Sequence, residues 1–221
     1  MAKTSRHDWV IVGAGGFARE VAWQIEMHDA NGGILMAVEP QYMPDPPQVG
    51  MYEVTTIADA IERSGHWVRW ILGVGGVALR TRLVDLIWAH EHPPAWGALR
   101  SVSATIANDA TLAGAYVGPG SVVSCGCQFD AHVLVNQCCS IGHDCRIHKH
   151  AVICPGCVLS GNVTIGEGAF LGSGVVVYPG KKIGPNAAVT AGTVVTHDVP
   201  ANTIRYTTGQ TSTMKQTEAG A

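Results

Sequence analysis

Charge is scarce in this chain. Of its 221 residues only 14% are Asp, Glu, Lys or Arg, and the formal net charge is −3. No basic run occurs, which argues against a nucleic-acid groove. Long apolar runs are missing too. No stretch approaches the roughly eighteen apolar residues of a membrane span, so no span is expected. Met1 to Trp9 is polar and has no apolar centre of the kind a signal peptide carries. A soluble, cytoplasmic protein is therefore the expectation. Evenly paired cysteines are lacking as well, since the chain has seven. An odd count argues against a disulfide framework. Cys154-x-x-Cys157 and Cys125-x-Cys127 have the look of metal ligands. Cys127, Cys139, Cys145 and Cys157, however, fall at the small inward position of the repeat described next, where a free thiol packs as a small hydrophobe. No metal is expected.

What the chain has in abundance is one spacing. Starting at Val117, every sixth residue is apolar: Val117, Val123, Phe129, Val135, Ile141, Ile147, Ile153, Leu159, Ile165, Leu171, Val177, Ile183, Val189 and Val195. The residue four places after each is nearly always small. The residue three places after is Gly or Asn in nine of the fourteen repeats. This hexapeptide repeat predicts a parallel β-helix. Each short strand points one large and one small residue inward, and the chain then turns a corner in the left-handed backbone region that suits Gly, with Asn second. Three strands close a triangular coil, so residues eighteen apart stack about 4.8 Å apart along the axis. Ile106 and Leu112 fit an earlier pair of repeats one residue out of register, giving about five coils. The β-helix domain is placed at residues 98–200. The polar stretch beyond it, 201–221, is read as a frayed C-terminal tail.

Ahead of the repeat, residues 1–97 alternate strands with helices, which predicts a small parallel α/β domain. Trp9 to Val12 is a buried-strand run leading into Gly13-Ala-Gly-Gly-Phe17, and Phe17, Val21 and Ile25 share one helix face. Strand, glycine-rich turn, helix is the arrangement that brings backbone N–H groups to a pyrophosphate. A second strand, Ile34 to Val38, ends in Glu39, about twenty residues past the loop, where an acidic side chain takes a ribose hydroxyl. Ile57 to Arg63 reads as a short helix, Trp67 to Val74 as a strand running into Gly73-Val-Gly-Gly76, and Leu79, Leu83, Leu86 and Ile87 mark another helix. Tryptophans are read as packing residues.

One part of the repeat breaks its own rule. The Gly/Asn corner is replaced in four consecutive repeats by His132, Cys138, Asp144 and His150, with His143 and His148 close by. Corner side chains are expected to point outward and form a polar patch on one edge. His143-Asp144 places an imidazole beside a carboxylate, as a general base requires. Gly161, eighteen residues on, should stack directly above His143.

Ser140-Ile-Gly-His-Asp-Cys-Arg-Ile147, Pro155-Gly156, Ser160-Gly161-Asn162-Val163, the repeat itself and Gly13-Ala-Gly-Gly-Phe17 together resemble one family. It comprises bacterial sugar acetyltransferases that join a small Rossmann-like domain to a left-handed β-helix: UDP-4-amino-sugar N-acetyltransferases and sialic-acid O-acetyltransferase-like proteins. The resemblance runs from about Trp9 to Val199. It implies a left-handed coil and an acetyl-CoA-dependent N-acetyltransferase acting on a nucleotide-linked amino sugar. His143 would be the base, Asp144 its support, and the Gly161 N–H the donor to the thioester oxygen. It implies a homotrimer with acetyl-CoA in the groove between adjacent prisms, which would bring in Ser173, Ala191 and Gly192. It puts the nucleotide near Gly13, Gly15, Gly16, Phe17, Glu39 and Gly75, and Asn136 near the acceptor sugar. The chain departs from the family where Val152 replaces a second His and Thr208-Gly209-Gln210-Thr211 replaces a C-terminal G-x-P-A-K.

Other readings exist. The same base would serve sugar O-acetylation. A zinc hydratase of the γ-carbonic-anhydrase type, also a left-handed β-helix, could use His143 and His148, but its third His position is Ala107. A non-catalytic binding protein could keep the fold. A dehydrogenase is disfavoured, because only half a dinucleotide fold precedes the prism.

Overall fold

The computed structural model describes residues 8–30, 32–64 and 68–214. The polar start at residues 1–7, Trp67 of the expected third strand, and residues 215–221 lie outside the described residues. Two compact units emerge, Met1–Gly75 with Leu79–Gly97, and Gly76–Ala78 with Ala98–Ala221.

The first unit is built on a five-stranded sheet. Its strands are β1 (Trp9–Val12), β2 (Ile34–Val38), β3 (Gln48–Val49), β4 (Tyr52–Thr56) and β5 (Arg69–Leu72), in the order β3-β4-β2-β1-β5. All pairings are parallel except β3 with β4. Every residue of β1 and β2 is buried. Such unbroken apolar runs are what a strand covered on both faces needs. The helices are α1 (Gly16–His28), α2 (Ile57–Arg63) and α3 (Val77–Trp88). Thr56 starts α2 by accepting the Asp59 N–H at 3.1 Å, a cap worth about 1 kcal/mol. Two helix faces differ in part from the expected ones. On α1 the buried stripe is Ala18, Val21, Ala22, Gln24 and Ile25, so Val21 and Ile25 of the expected face are buried while Phe17 is half-buried at its border. On α3 it is Arg80, Leu83, Val84 and Ile87, which leaves Leu79 and Leu86 partly exposed. Arg80 is interior because its guanidinium holds the loop after β5, donating to the Val74 carbonyl at 2.7 Å. Burial pushes its pKa down to about 9, still cationic at neutral pH. Trp9 and Trp70 are core, whereas Trp23 and Trp88 are half exposed.

The second unit is a three-faced parallel β-helix of two-residue strands. The first face carries Leu99–Arg100, Tyr116–Val117, Leu134–Val135, Val152–Ile153, Phe170–Leu171, Ala188–Val189 and Thr203–Arg205. The second carries Thr105–Ile106, Val122–Val123, Ser140–Ile141, Val158–Leu159, Val176–Val177 and Val194–Val195, and the third Thr111–Leu112, Gln128–Phe129, Arg146–Ile147, Thr164–Ile165 and Lys182–Ile183. The six strands of the second face mark six coils rather than five. Leu99–Arg100 opens an extra coil that the repeat does not reveal. Ladder partners are seventeen residues apart in the first coil (Leu112 with Phe129), eighteen from Val117 with Val135 through Val177 with Val195, and sixteen where the last strand joins (Val189 with Arg205). The residue missing from the first coil lies between Leu112 and Val117, at the Gly114 corner (φ 72°).

The core is a stack of the sixth-position residues and their small companions, Val117 through Val195 being 0–2% exposed. All seven cysteines are free. The inward ones also bond the coil next along: Cys139 Sγ lies 3.2 Å from the Cys154 carbonyl and Cys157 Sγ 3.2 Å from that of Gly172. Burial pushes the Cys145 thiol up to about 11, so it stays protonated.

The tail expectation needs correction. Thr203–Arg205 adds to the first face and pairs antiparallel with Thr211–Thr213. A turn joins them, Tyr206 N–H to Gln210 O at 3.0 Å and Gly209 N–H to Tyr206 O at 2.9 Å. Half-buried Thr203-Ile204-Arg205 and exposed Thr211-Ser212-Thr213 give no apolar alternation, but their β-branched residues suit strands that terminate an open ladder.

Candidate active site

Left-handed corners recur every six residues. Among non-glycines, His132, Cys138, Asp144 and His150 all have φ between 57° and 61°. Holding His or Cys there costs about 1–2 kcal/mol per residue. The four do not make one outward patch, however. Successive corners fall on successive edges of a three-sided prism, so His132 and His150 share one edge, Cys138 lies on the second and Asp144 on the third. His132 and His150 are also buried, 6% exposed each, with rings stacked 5.2 Å apart at 14°.

The third edge is different. His143 Nδ1 lies 2.8 Å from Asp144 Oδ2, and both side chains are more than half exposed. Asp144 is fixed by its N–H, which bonds the Cys125 carbonyl at 2.9 Å, and by its carboxylate, which occupies the space a Cβ on Gly126 would need. A carboxylate only accepts, so Nδ1 carries the hydrogen and Nε2 presents its lone pair. That end of the ring lies against Gly161: a Cβ there would collide with Nε2 and Cε1. Among the described residues the Gly161 N–H has no backbone acceptor. Its position in the repeat is proline at Pro119, Pro155, Pro179 and Pro185, so the coil ladder does without an N–H there. Gly161 instead accepts the Gly180 N–H at 3.0 Å through its carbonyl. A lone-pair nitrogen and this N–H thus sit one coil apart on an open edge.

Other expected residues lie elsewhere. Ser173, Ala191 and Gly192 stack on the edge between the first and second faces, with Gly192 N–H bonding the Ser173 carbonyl at 2.9 Å. Asn136 ends the Leu134–Val135 strand at that same edge, its Oδ1 accepting the Gln137 N–H at 2.9 Å. The His143–Gly161 edge borders the second and third faces. Within one prism the two groups are therefore not brought together; they flank the second face. His148 lies at the far border of the third face, its Nδ1 3.0 Å from Asp130 Oδ2. This second His–carboxylate pair escaped sequence reading, although the eighteen-residue coil period would have found it. Among the described residues no three His, Cys, Asp or Glu side chains converge to hold a metal ion.

The α/β unit has its own concavity, a cavity of about 410 Å³ at the carboxyl ends of β1, β2 and β5. Chain order reverses between β1 and β5, the place where open α/β sheets receive ligands. Gly13 and Gly73 let the two strand ends meet there: a Cβ on Gly73 would stand 2.5 Å from Ile11 Cγ2, and one on Gly13 2.9 Å from Val74 Cγ1. Gly13, Gly15 and Glu39 line the cavity; Gly16, Phe17 and Gly75 do not. Gly16 opens α1 and Phe17 follows it, while Gly75 lies between β5 and α3. Tyr42 and Pro44, which sequence reasoning did not single out, line the wall too, together with Leu79 and Leu83 of α3. Glu39 is already engaged. Arg82 Nη1 and Nη2 donate to its two oxygens at 2.8 and 2.5 Å, and this holds the carboxyl below its ordinary range.

No protein-family model and no curated protein sequence matches this chain. Solved structures do. The acetyltransferase domain of PglB from Neisseria gonorrhoeae FA1090 aligns at TM-score 0.81 and 24% identity over 91% of this chain and 97% of that one. A perosamine N-acetyltransferase mutant from Caulobacter crescentus, in complex with CoA and GDP-perosamine, aligns at TM-score 0.81 and 24% identity over 92% and 96%. PerB from the same organism, with the same two ligands, gives 0.78 and 25% over 92% and 96%. The chain therefore has the fold of these acetyltransferases.

Proposed function

We propose that this protein is an acetyl-CoA-dependent N-acetyltransferase acting on a nucleotide-linked amino sugar. The observation that carries the reading is the His143–Asp144 pair, with its Nε2 end set against Gly161. The amine attacks the thioester carbonyl and the C–N bond forms. His143 Nε2 takes the amine proton, the Gly161 N–H donates to the developing oxyanion, and the C–S bond breaks to release CoA, whose sulfur receives a proton. The fold shared with CoA-bound PglB and with PerB holding CoA and GDP-perosamine supports the choice of co-substrates. The α/β unit, Rossmann-like in its switch-point cavity, takes the nucleotide, with Gly13, Gly15, Gly16 and Phe17 at the diphosphate side and Gly75 nearby. Soluble co-substrates and seven free thiols fit a cytoplasmic enzyme. Thiol release from acetyl-CoA should appear with at least one of a panel of UDP-, dTDP- and GDP-linked amino sugars. Failure with the whole panel, by a folded protein that binds acetyl-CoA, would sink the reading.

The assembly proposed with it is a homotrimer of left-handed prisms. The second face carries an outward ladder of Val122, Val158, Val176 and Val194, of which Val122, Val158 and Val194 are 47%, 39% and 50% exposed. Its borders are the His143–Gly161 edge on one side and the Ser173–Ala191 edge with Asn136 on the other. Three-fold packing of this face would set one edge against the other edge of a neighbour and close a groove for acetyl-CoA. Val158→Glu should then give a folded monomer, by light scattering and circular dichroism, without acetyl transfer. An active trimer would remove the shared groove.

A further inference from the structure

We propose that the α/β cavity selects a guanine base, and that Glu39 reads it. The inference rests on the reading that this unit binds the nucleotide of the acceptor. The cavity wall is a slot of Gly, Ala, Val, Leu and Pro side chains in which Glu39 is the sole carboxylate and Tyr42 brings the other polar side chain. Glu39 is mostly buried, 13% exposed at the side chain, and a glutamate carboxyl is ionised at neutral pH. An ionised carboxylate is acceptor-only, and like charge keeps phosphate away from it. Whatever meets Glu39 must bring donors.

Arg82 shows which donors fit. Its guanidinium meets the carboxylate with two parallel N–H groups, one to each oxygen. Guanine carries the same planar fork in N1–H and the N2 amino group. Uracil and thymine offer one N–H between two carbonyl oxygens, which would face the carboxylate with repulsion. Adenine and cytosine place a ring acceptor beside their amino donor. Arg82 is 51% exposed, and a half-exposed ion pair is weak enough to exchange for a base stacked in an apolar slot. Arg82 therefore occupies the site as an internal stand-in and turns to solvent, or toward the diphosphate, when the base enters.

A ribose diol also has two donors, and titration calorimetry of the full-length protein with GDP, UDP and ADP separates the two. Wild type should bind GDP at least about tenfold tighter than UDP. Glu39→Gln should weaken GDP by about tenfold to a hundredfold, leave UDP within about threefold, and improve ADP, because an amide both donates and accepts as adenine's edge requires. Equal weakening of all three would assign Glu39 to the ribose and overturn the base assignment while leaving the nucleotide reading intact. A wild-type preference for UDP would overturn it equally. If wild type binds none of the three, the nucleotide reading of this unit falls and the guanine proposal with it.

Discussion

His143→Ala is expected to lower the turnover number by about two to four decades while the fold, the assembly and acetyl-CoA affinity stay near wild type. The attacking amine must lose a proton as the C–N bond forms, and water accepts it poorly. His143 Nε2 is the unencumbered lone pair on this edge, because Nδ1 is committed to Asp144 at 2.8 Å. The side chain is 56% exposed, so its removal opens no core cavity and the melting temperature should hold. Asp144→Ala should have an intermediate effect. It removes the group that fixes the tautomer and orients the ring, but leaves the base itself in place. Steady-state kinetics beside a thermal melt decide the matter. A folded, trimeric His143→Ala protein with wild-type turnover would end the general-base reading.

How far the sequence reveals this architecture depends on which period a residue obeys. The six-residue spacing exposes the strands, the inward cysteines and the left-handed corners, because each repeat imposes the same local geometry. It also places Gly161 over His143. What it hides are relations that need the three-sided closure. His132, Cys138, Asp144 and His150 look like neighbours along the chain, yet each step of six moves to another edge, so of the four only His132 and His150 meet, as a buried stacked pair. Asp130 and His148 look unrelated yet lie one coil apart. The hairpin after Asn202 carries no apolar pattern, since threonine ladders are stabilised by pairing rather than burial. In the α/β unit, Gly13, Gly15 and Glu39 were legible from the strand–turn–helix spacing. Tyr42 was not, and neither was Arg82, whose contact with Glu39 links residues forty-three positions apart. The short strand Tyr52–Thr56 also escaped, because its two buried positions are adjacent and one of them is the polar Thr55, which leaves Val54 as its lone buried apolar residue.

Gly161→Ala is expected to reduce turnover by about a hundredfold with little change in stability, and the reason is steric. The new Cβ would sit where the His143 ring now lies, against Nε2 and Cε1. Something must yield, and the ring is the exposed end of a flexible side chain, whereas the coil backbone is locked by its ladder. Displacing a base by about an ångström costs on the order of a hundredfold in rate. The Gly161 backbone is not in the left-handed region, so alanine brings no strain, and the amide N–H is retained. Melting should therefore shift by no more than an ordinary surface substitution does, about 0.5 kcal/mol. Gly142→Ala makes the contrast. Its Cβ would meet the backbone of the next coil, 2.6 Å from the Ser160 carbonyl carbon and 2.7 Å from the Gly161 nitrogen, so the stack itself must part and stability should fall. Combining His143→Ala with Gly161→Ala should cost little more than His143→Ala alone, because both act through one ring. Two independent, multiplying losses would mean that Gly161 acts on the substrate rather than by leaving room for His143, and wild-type turnover in Gly161→Ala would show that the ring's place against this glycine has no part in proton transfer.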